Sequence, residues 1–247
     1  MNLESLLGLA LVAAAMVLIL GYVAAVRKWE PRALRAIQTF QSLQRAIGLA
    51  VEAGNRLHLS LGRGNFLSSQ AGVGFAGLST LDLIARSTSI SDKPPISSAG
   101  EAALSILAQD TQRGAAHDLG GEFDPARAQL TGVTPFSYAA GAAALLGEDE
   151  VGASLLVGSL GSEVALIIEA GERAGSPALG GTDNLSGQAV LYASAHNPLI
   201  GEETFASGAY LGAGRLHHAS LFAQDVLRWA VILAILAGAI LKVAGVL

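Results

Sequence analysis

Two long apolar runs frame the chain, and between them apolar positions recur at spacings that switch between helix and strand. Residues 6–26 contain about 21 positions and no charge. At ~1.5 Å of rise per residue a helix of that length covers the ~30 Å hydrocarbon core of a bilayer. Arg27, Lys28, Arg32 and Arg35 follow the run, whereas Glu4 and no basic residue precedes it. A secretory signal has the opposite order, so the run reads as a retained anchor. The positive-inside tendency then puts the N-terminus outside and the following chain in the cytoplasm. Residues 229–241 form the second run, bounded by Arg228 and Trp229 and continuing past Lys242 to the end. It reads as a returning span that leaves both termini outside the cell membrane. Ala230, Ala234 and Gly238 recur every four residues. That face of small side chains suits close contact with the first span near Ala10 and Ala14, or with another copy. The expected division is an anchor over residues 1–28, a cytoplasmic domain over 29–225 and a second span over 226–247.

In the middle section, Leu34, Ile37, Phe40, Leu43, Ile47 and Val51 predict a helix from Pro31 to Gly54, with a basic first turn. Leu57, Leu59 and Leu61 alternate with His58 and Ser60. The alternation predicts a half-buried strand over residues 56–62, with His58 turned away from the leucines. Gly62-Arg63-Gly64 turns the chain into a helix over residues 68–86. Within it, residues 72–77 spell a dinucleotide fingerprint, GVGFAG. That motif must form a strand-to-helix turn, and NFLSSQA precedes it here, so a closely packed helix face is the better reading. A short strand over 96–98 and a helix over 100–112 follow. Residues 114–125 read as a solvated acidic loop holding His117, Asp118, Glu122 and Asp124, without cation-site spacing. Further expectations are a helix over 137–147, a buried strand over 151–161, and a helix over 163–172 capped by Ser162. An extended piece over 177–181, a polar turn at Thr182-Asp183-Asn184 and helices over 186–195 and 202–211 complete the domain. Residues 216–227 run on into the second span.

The fold class is therefore a helix-rich α/β domain flanked by terminal transmembrane helices. Ser60-Leu61-Gly62 matches Ser159-Leu160-Gly161, and segments 31–113 and 135–197 share an element order. Internal duplication and chance likeness in Gly/Ala-rich sequence both remain open at this point.

Composition narrows the function. Hydrophobic residues make up 51% and charged residues 14%, against about a quarter charged in soluble domains. A net charge of −5 without a long basic run argues against nucleic acid as a partner. The absence of cysteine removes disulfides, thiolate metal sites and cysteine nucleophiles. No Walker lysine, HExxH or GxSxG motif is present, and no cofactor, metal or catalytic residue is expected. Ser186, His196 and Asp183 have the letters of a hydrolase triad but lack a nucleophile elbow.

Strand-end turns are where an α/β sheet binds ligands. They nominate Gly62, Arg63, Gly64, Gly161, Ser162, Thr182, Asp183 and Asn184, with Arg63 as the group that would pair an anion. The run over residues 180–188, GGTDNLSGQ, continuing through Ala195-His196-Asn197-Pro198 to Gly208-Ala209-Tyr210, resembles a prokaryotic family of membrane proteins of unknown function. The resemblance covers most of residues 30–225 and implies a two-span protein without an assigned activity. The leading expectation is a non-enzymatic assembly protein, held in the lipid bilayer and associating with its own copies or with a membrane complex. The alternative is a regulator or enzyme that takes an anionic metabolite or nucleotide at the strand-end turns.

Overall fold

The structure is a computed structural model that describes residues 3–26, 34–65, 67–68, 70–88, 93–148 and 150–245. The chain divides into two compact units, Arg35–Ala213 and the pair Met1–Leu34 with Gly214–Leu247.

The second unit is built of two apolar helices, α1 (Leu3–Val26) and α9 (Arg215–Val243). By length and composition both are able to cross a membrane, with mean hydropathies of 2.6 and 2.2. The buried residues of α9 are Ala219 and Ala223. Ala15, Leu18, Ile19, Tyr22 and Val23 are the partly covered positions of α1. Tyr22 stacks on Phe222 with ring centroids 4.4 Å apart. Ala10, Ala14, Ala230 and Ala234 are exposed, and nothing lies within 4 Å of the Cβ position of Gly238. Arg27, Lys28 and Arg32 lie outside the described residues.

The larger unit holds one six-stranded sheet, parallel throughout, in the order β3-β2-β1-β4-β5-β6. The strands are β1 (Arg56–Gly62), β2 (Ile96–Ala99), β3 (Ala128–Leu130), β4 (Val151–Ser159), β5 (Ala178–Thr182) and β6 (Pro198–Leu199). Parallel strands need crossovers, and helices supply each one. They are α3 (Ala71–Thr88), α4 (Ala102–Asp118), α5 (Pro135–Glu148), α6 (Val164–Arg173) and α7 (Leu185–Ser194). A further helix, α2 (Gln38–Ala53), precedes β1, and α8 (Ser207–Leu211) follows β6. The sequence helix, strand, helix, strand, helix, strand occurs twice, with β1 and β4 side by side at the centre. This is the strand order of doubly wound sheets.

Both faces of the sheet are covered. Leu57, Leu59 and Leu61 are buried on the side of α3 and α4, where Gln112 of α4 donates to Ser97 Oγ at 3.1 Å. Helix and strand approach closely at Gly77 of α3, where a Cβ would overlap the carbonyl oxygen of Val157. The GVGFAG stretch therefore lies inside α3, and its last glycine serves helix-on-strand packing. The opposite face packs Tyr138, Ala142 and Leu146 of α5 with Val164, Ile167 and Ile168 of α6 around Leu156.

Several boundaries differ from those the periodicity predicts. Residues 34–37 are not helical, because Ile37 is extended (φ −112°, ψ 118°) and α2 starts at Gln38. Arg35 accordingly leaves any helical first turn and pairs with Glu203 Oε1 at 2.7 Å. Pro31 lies outside the described residues. Gly54 ends α2 as expected, in the left-handed region at φ 66°. Helix α4 runs through Gly114 to Asp118, so His117 and Asp118 are helical, and the three-residue β3 and two-residue β6 carry too little pattern to be seen in sequence. Strand β1 is buried on both faces rather than half-buried. Its polar positions find hydrogen-bond partners on β4, β2 and α5 in place of water.

Candidate functional site

The buried polar face of β1 forms one connected network. His58 Nδ1 lies 2.9 Å from Ser154 Oγ of β4, and its Nε2 lies 2.9 Å from Ser98 Oγ of β2. Tyr138 OH, from α5, lies 2.6 Å from Ser60 Oγ and accepts from the Gly62 backbone N–H at 3.1 Å. Burial lowers the His58 pKa to about 4 and raises that of Tyr138, so both are neutral at pH 7. The sequence offered only the alternation of His58 and Ser60 with leucines. The partners Ser98, Tyr138 and Ser154 come from three other elements and carried no local signal.

Tyr138 leads to the carboxyl end of β1, where the chain reverses its direction of travel across the sheet. Strands β1 to β3 progress one way and β4 to β6 the other, so the topological switch point falls between the ends of β1 and β4. Doubly wound sheets bind ligands at this switch point. Gly62 and Ser159 are paired there, and Arg63 N–H donates to Ser159 O at 2.8 Å. Gly62 has φ 70° and its Cβ position lies 2.7 Å from Ser159 N, so both conformation and space require glycine. Gly64 adjoins the same strand end, 3.5 Å from Ser159 Cβ at its own Cβ position.

Arg63 crosses the end of β2. A Cβ on Gly100 would overlap the Arg63 stem, so the missing side chain is what lets Arg63 pass. Its Nη2 then donates to Val133 O at 3.0 Å, in the loop between β3 and α5, while its buried Nε has no hydrogen-bond partner.

The other nominated residues join the same end of the sheet, most of them with their polar groups already engaged. Glu163, buried at the start of α6, accepts from Gly161 N–H at 3.0 Å. Its carboxylate thus occupies the donor that an anion at this turn would need. Ser162 is exposed and makes no side-chain cap; Glu163 stands in the cap position. Thr182 is the last residue of β5 rather than part of a polar turn. Its Oγ1 accepts from Leu160 N–H at 2.8 Å and donates to Leu160 O at 3.0 Å, tying β5 to β4. Asn184 caps α7 by accepting from Ser186 N–H at 2.9 Å. Asp183 Oδ1 is buried without a partner. Ser186 Oγ bonds Asn184 at 2.7 Å, which leaves the triad letters without a triad. Among the described residues no three His, Asp or Glu side chains gather to hold a metal. Asp118 instead pairs with Arg86 at 2.9 Å, and Asp124 caps the turn at Ala126 at 3.0 Å.

Fold and site together define a doubly wound α/β domain, in a chain that also carries two long apolar terminal helices. The whole chain, residues 1–247, matches the family described as "Domain of unknown function (DUF6754)", and the protein belongs to that family. No curated protein and no solved structure matches it.

The depressed pKa of His58 makes stability depend on pH. Its folded value of about 4 lies below the ordinary 6.5, so the unfolded chain takes up a proton that the folded chain refuses. The contribution is complete above pH 6.5 and falls away towards pH 4, by about 3 kcal/mol in all. Denaturation of the full chain in detergent at pH 7.5 and 4.5 should show this loss, and His58→Gln should lose measurably less. Equal losses in both proteins would contradict the assignment.

Proposed function

We propose that the chain is a membrane-tethered binding module that takes a small anionic ligand, a nucleotide or a phosphorylated metabolite, at the switch point between β1 and β4. The observation that carries this reading is Arg63, a guanidinium laid across the carboxyl ends of β1 and β2 with a buried, unpaired Nε donor. An unsatisfied buried donor costs about 1–3 kcal/mol, and an acceptor brought in by a ligand recovers it. Because Glu163 already fills the turn at Gly161, the anion is held from the Arg63 side and the loop after β1. The reading stops at binding, since Tyr138 and His58 are buried and neutral.

Thermal shift of the full chain in detergent tests it, with ATP, NAD and sugar phosphates at millimolar concentration. At 100 times its dissociation constant a ligand adds about 2.7 kcal/mol of stability, enough to raise the melting temperature by several degrees. Arg63→Ala should abolish that rise. No response to any anion would overturn the reading.

The tether is α1 and α9, read as two spans with both termini outside the cell membrane and the α/β domain in the cytoplasm. The support is their length and hydropathy together with Arg27, Lys28 and Arg32 after the first run. The chain has no cysteine, so single-cysteine labelling is clean. On intact cells Ser5→Cys should react with a membrane-impermeant maleimide, and Glu172→Cys only after permeabilisation. The reverse pattern would invert the topology.

A second reading, self-association, is favoured by large apolar side chains at the carboxyl end of the sheet. Leu67 is 97% exposed, Leu185 82% and Phe136 68%, in the loops or helix starts after β1, β5 and β3. Light scattering in mild detergent should give a protein mass above the 25.1 kDa of one chain, reduced to one chain by Phe136→Asp with Leu185→Asp. A wild-type monomer would remove this reading.

A further inference from the structure

At the carboxyl end of the sheet Asp183 is the counterpart of Arg63. We propose that the switch-point ligand is a nucleoside polyphosphate, with its phosphates at Arg63 and its ribose hydroxyls donating to Asp183. The inference rests on the anion site proposed above and names the class of ligand that fits it.

Strand register places the two residues. Gly62 of β1 pairs with Ser159 of β4. On the other side of β4, Thr182 of β5 pairs with Gly158. Asp183, one residue further on, therefore stands level with Ser159, and Arg63 and Asp183 follow the two strand ends that flank β4. Each carries a buried polar atom with no hydrogen-bond partner among the described residues, a donor at Arg63 Nε and an acceptor at Asp183 Oδ1. The polar groups beside Asp183 are matched internally. Thr182 Oγ1 is held by Leu160, Gln188 Nε2 donates to Thr182 O at 2.9 Å, and Asn184 caps α7. One donor and one acceptor thus stay unmatched at the same end of the sheet. A single ligand with an anionic part and a hydroxylated part completes both.

Spacing and charge select that ligand. The Arg63 stem lies against Gly100, just past the end of β2, and β2, β1, β4 and β5 are consecutive in the sheet. With neighbouring strands ~4.8 Å apart, the step from β2 to β5 is about 14 Å. A sugar monophosphate is too short to bridge it, whereas an extended nucleoside diphosphate or triphosphate has the reach. Glu163, buried just past β4 and bound by Gly161 N–H at 3.0 Å, puts a carboxylate between the two residues. Repulsion there keeps the phosphates on the Arg63 side, and the uncharged ribose passes to the Asp183 side. An acidic side chain is the group that holds ribose hydroxyls in dinucleotide-binding sheets.

Isothermal titration of the full chain in non-ionic detergent provides the test. The probes are ATP, 2′,3′-dideoxy-ATP, which lacks both ribose hydroxyls, and ribose 5-phosphate. Saturable binding of ATP is expected, with each of the other two at least about tenfold weaker. Asp183→Ala should weaken ATP about tenfold and leave 2′,3′-dideoxy-ATP unchanged, which also shows that the variant is folded. The wild-type comparison decides even where the variant does not fold. Equal binding of ATP and 2′,3′-dideoxy-ATP by the wild type, or an undiminished preference for ATP in Asp183→Ala, overturns the assignment to Asp183 and leaves the Arg63 site standing. A wild type that binds none of the three removes both.

Discussion

The central constraint in the α/β domain is a neutral imidazole held between strands. His58 sits in the middle of β1, and its two ring nitrogens reach Ser154 on β4 and Ser98 on β2. Three adjacent parallel strands are thus tied by side chains in addition to their backbone ladders. A buried polar group is tolerable only when its partners are present, so this arrangement permits one register and penalises its neighbours. A one-residue slip of β1 would put His58 among the leucines and leave two serines unpaired. Tyr138 extends the same logic upwards, closing the seam against Ser60 and the Gly62 N–H.

What lies above the seam depends on the absence of side chains. Gly62 lets β1 and β4 meet, Gly100 lets Arg63 cross β2, and Gly77 lets α3 approach Val157. The switch point is consequently narrow, and most of its polar groups satisfy one another. Thr182 is consumed by Leu160, Asn184 by α7, and the Gly161 N–H by Glu163. Arg63 differs because its stem is fixed by packing while one of its donors is left unmatched. That contrast, more than the strand order, is why the proposed anion site centres on one residue rather than on a glycine-rich cradle.

The sequence by itself determined the two long apolar helices and, between them, strands β1, β2, β4 and β5 with the helices around them. Uninterrupted hydropathy, period-two leucines and glycine at positions of positive φ are local properties, written within a few residues of where they act. Strand β1 was legible to the residue for that reason, and so was the glycine stop of α2. Only the tertiary structure decided that the sheet is parallel in the order 3-2-1-4-5-6, that the His58 face is buried, and that Gly62–Gly64, Gly161 and Thr182 share one end. Each of these depends on pairing across intervals as long as the 96 residues between His58 and Ser154. No local pattern encodes a partner at that distance. Tyr138 shows the reason plainly: its alanine-rich helix announces burial, but the hydroxyl's partners lie on two other strands.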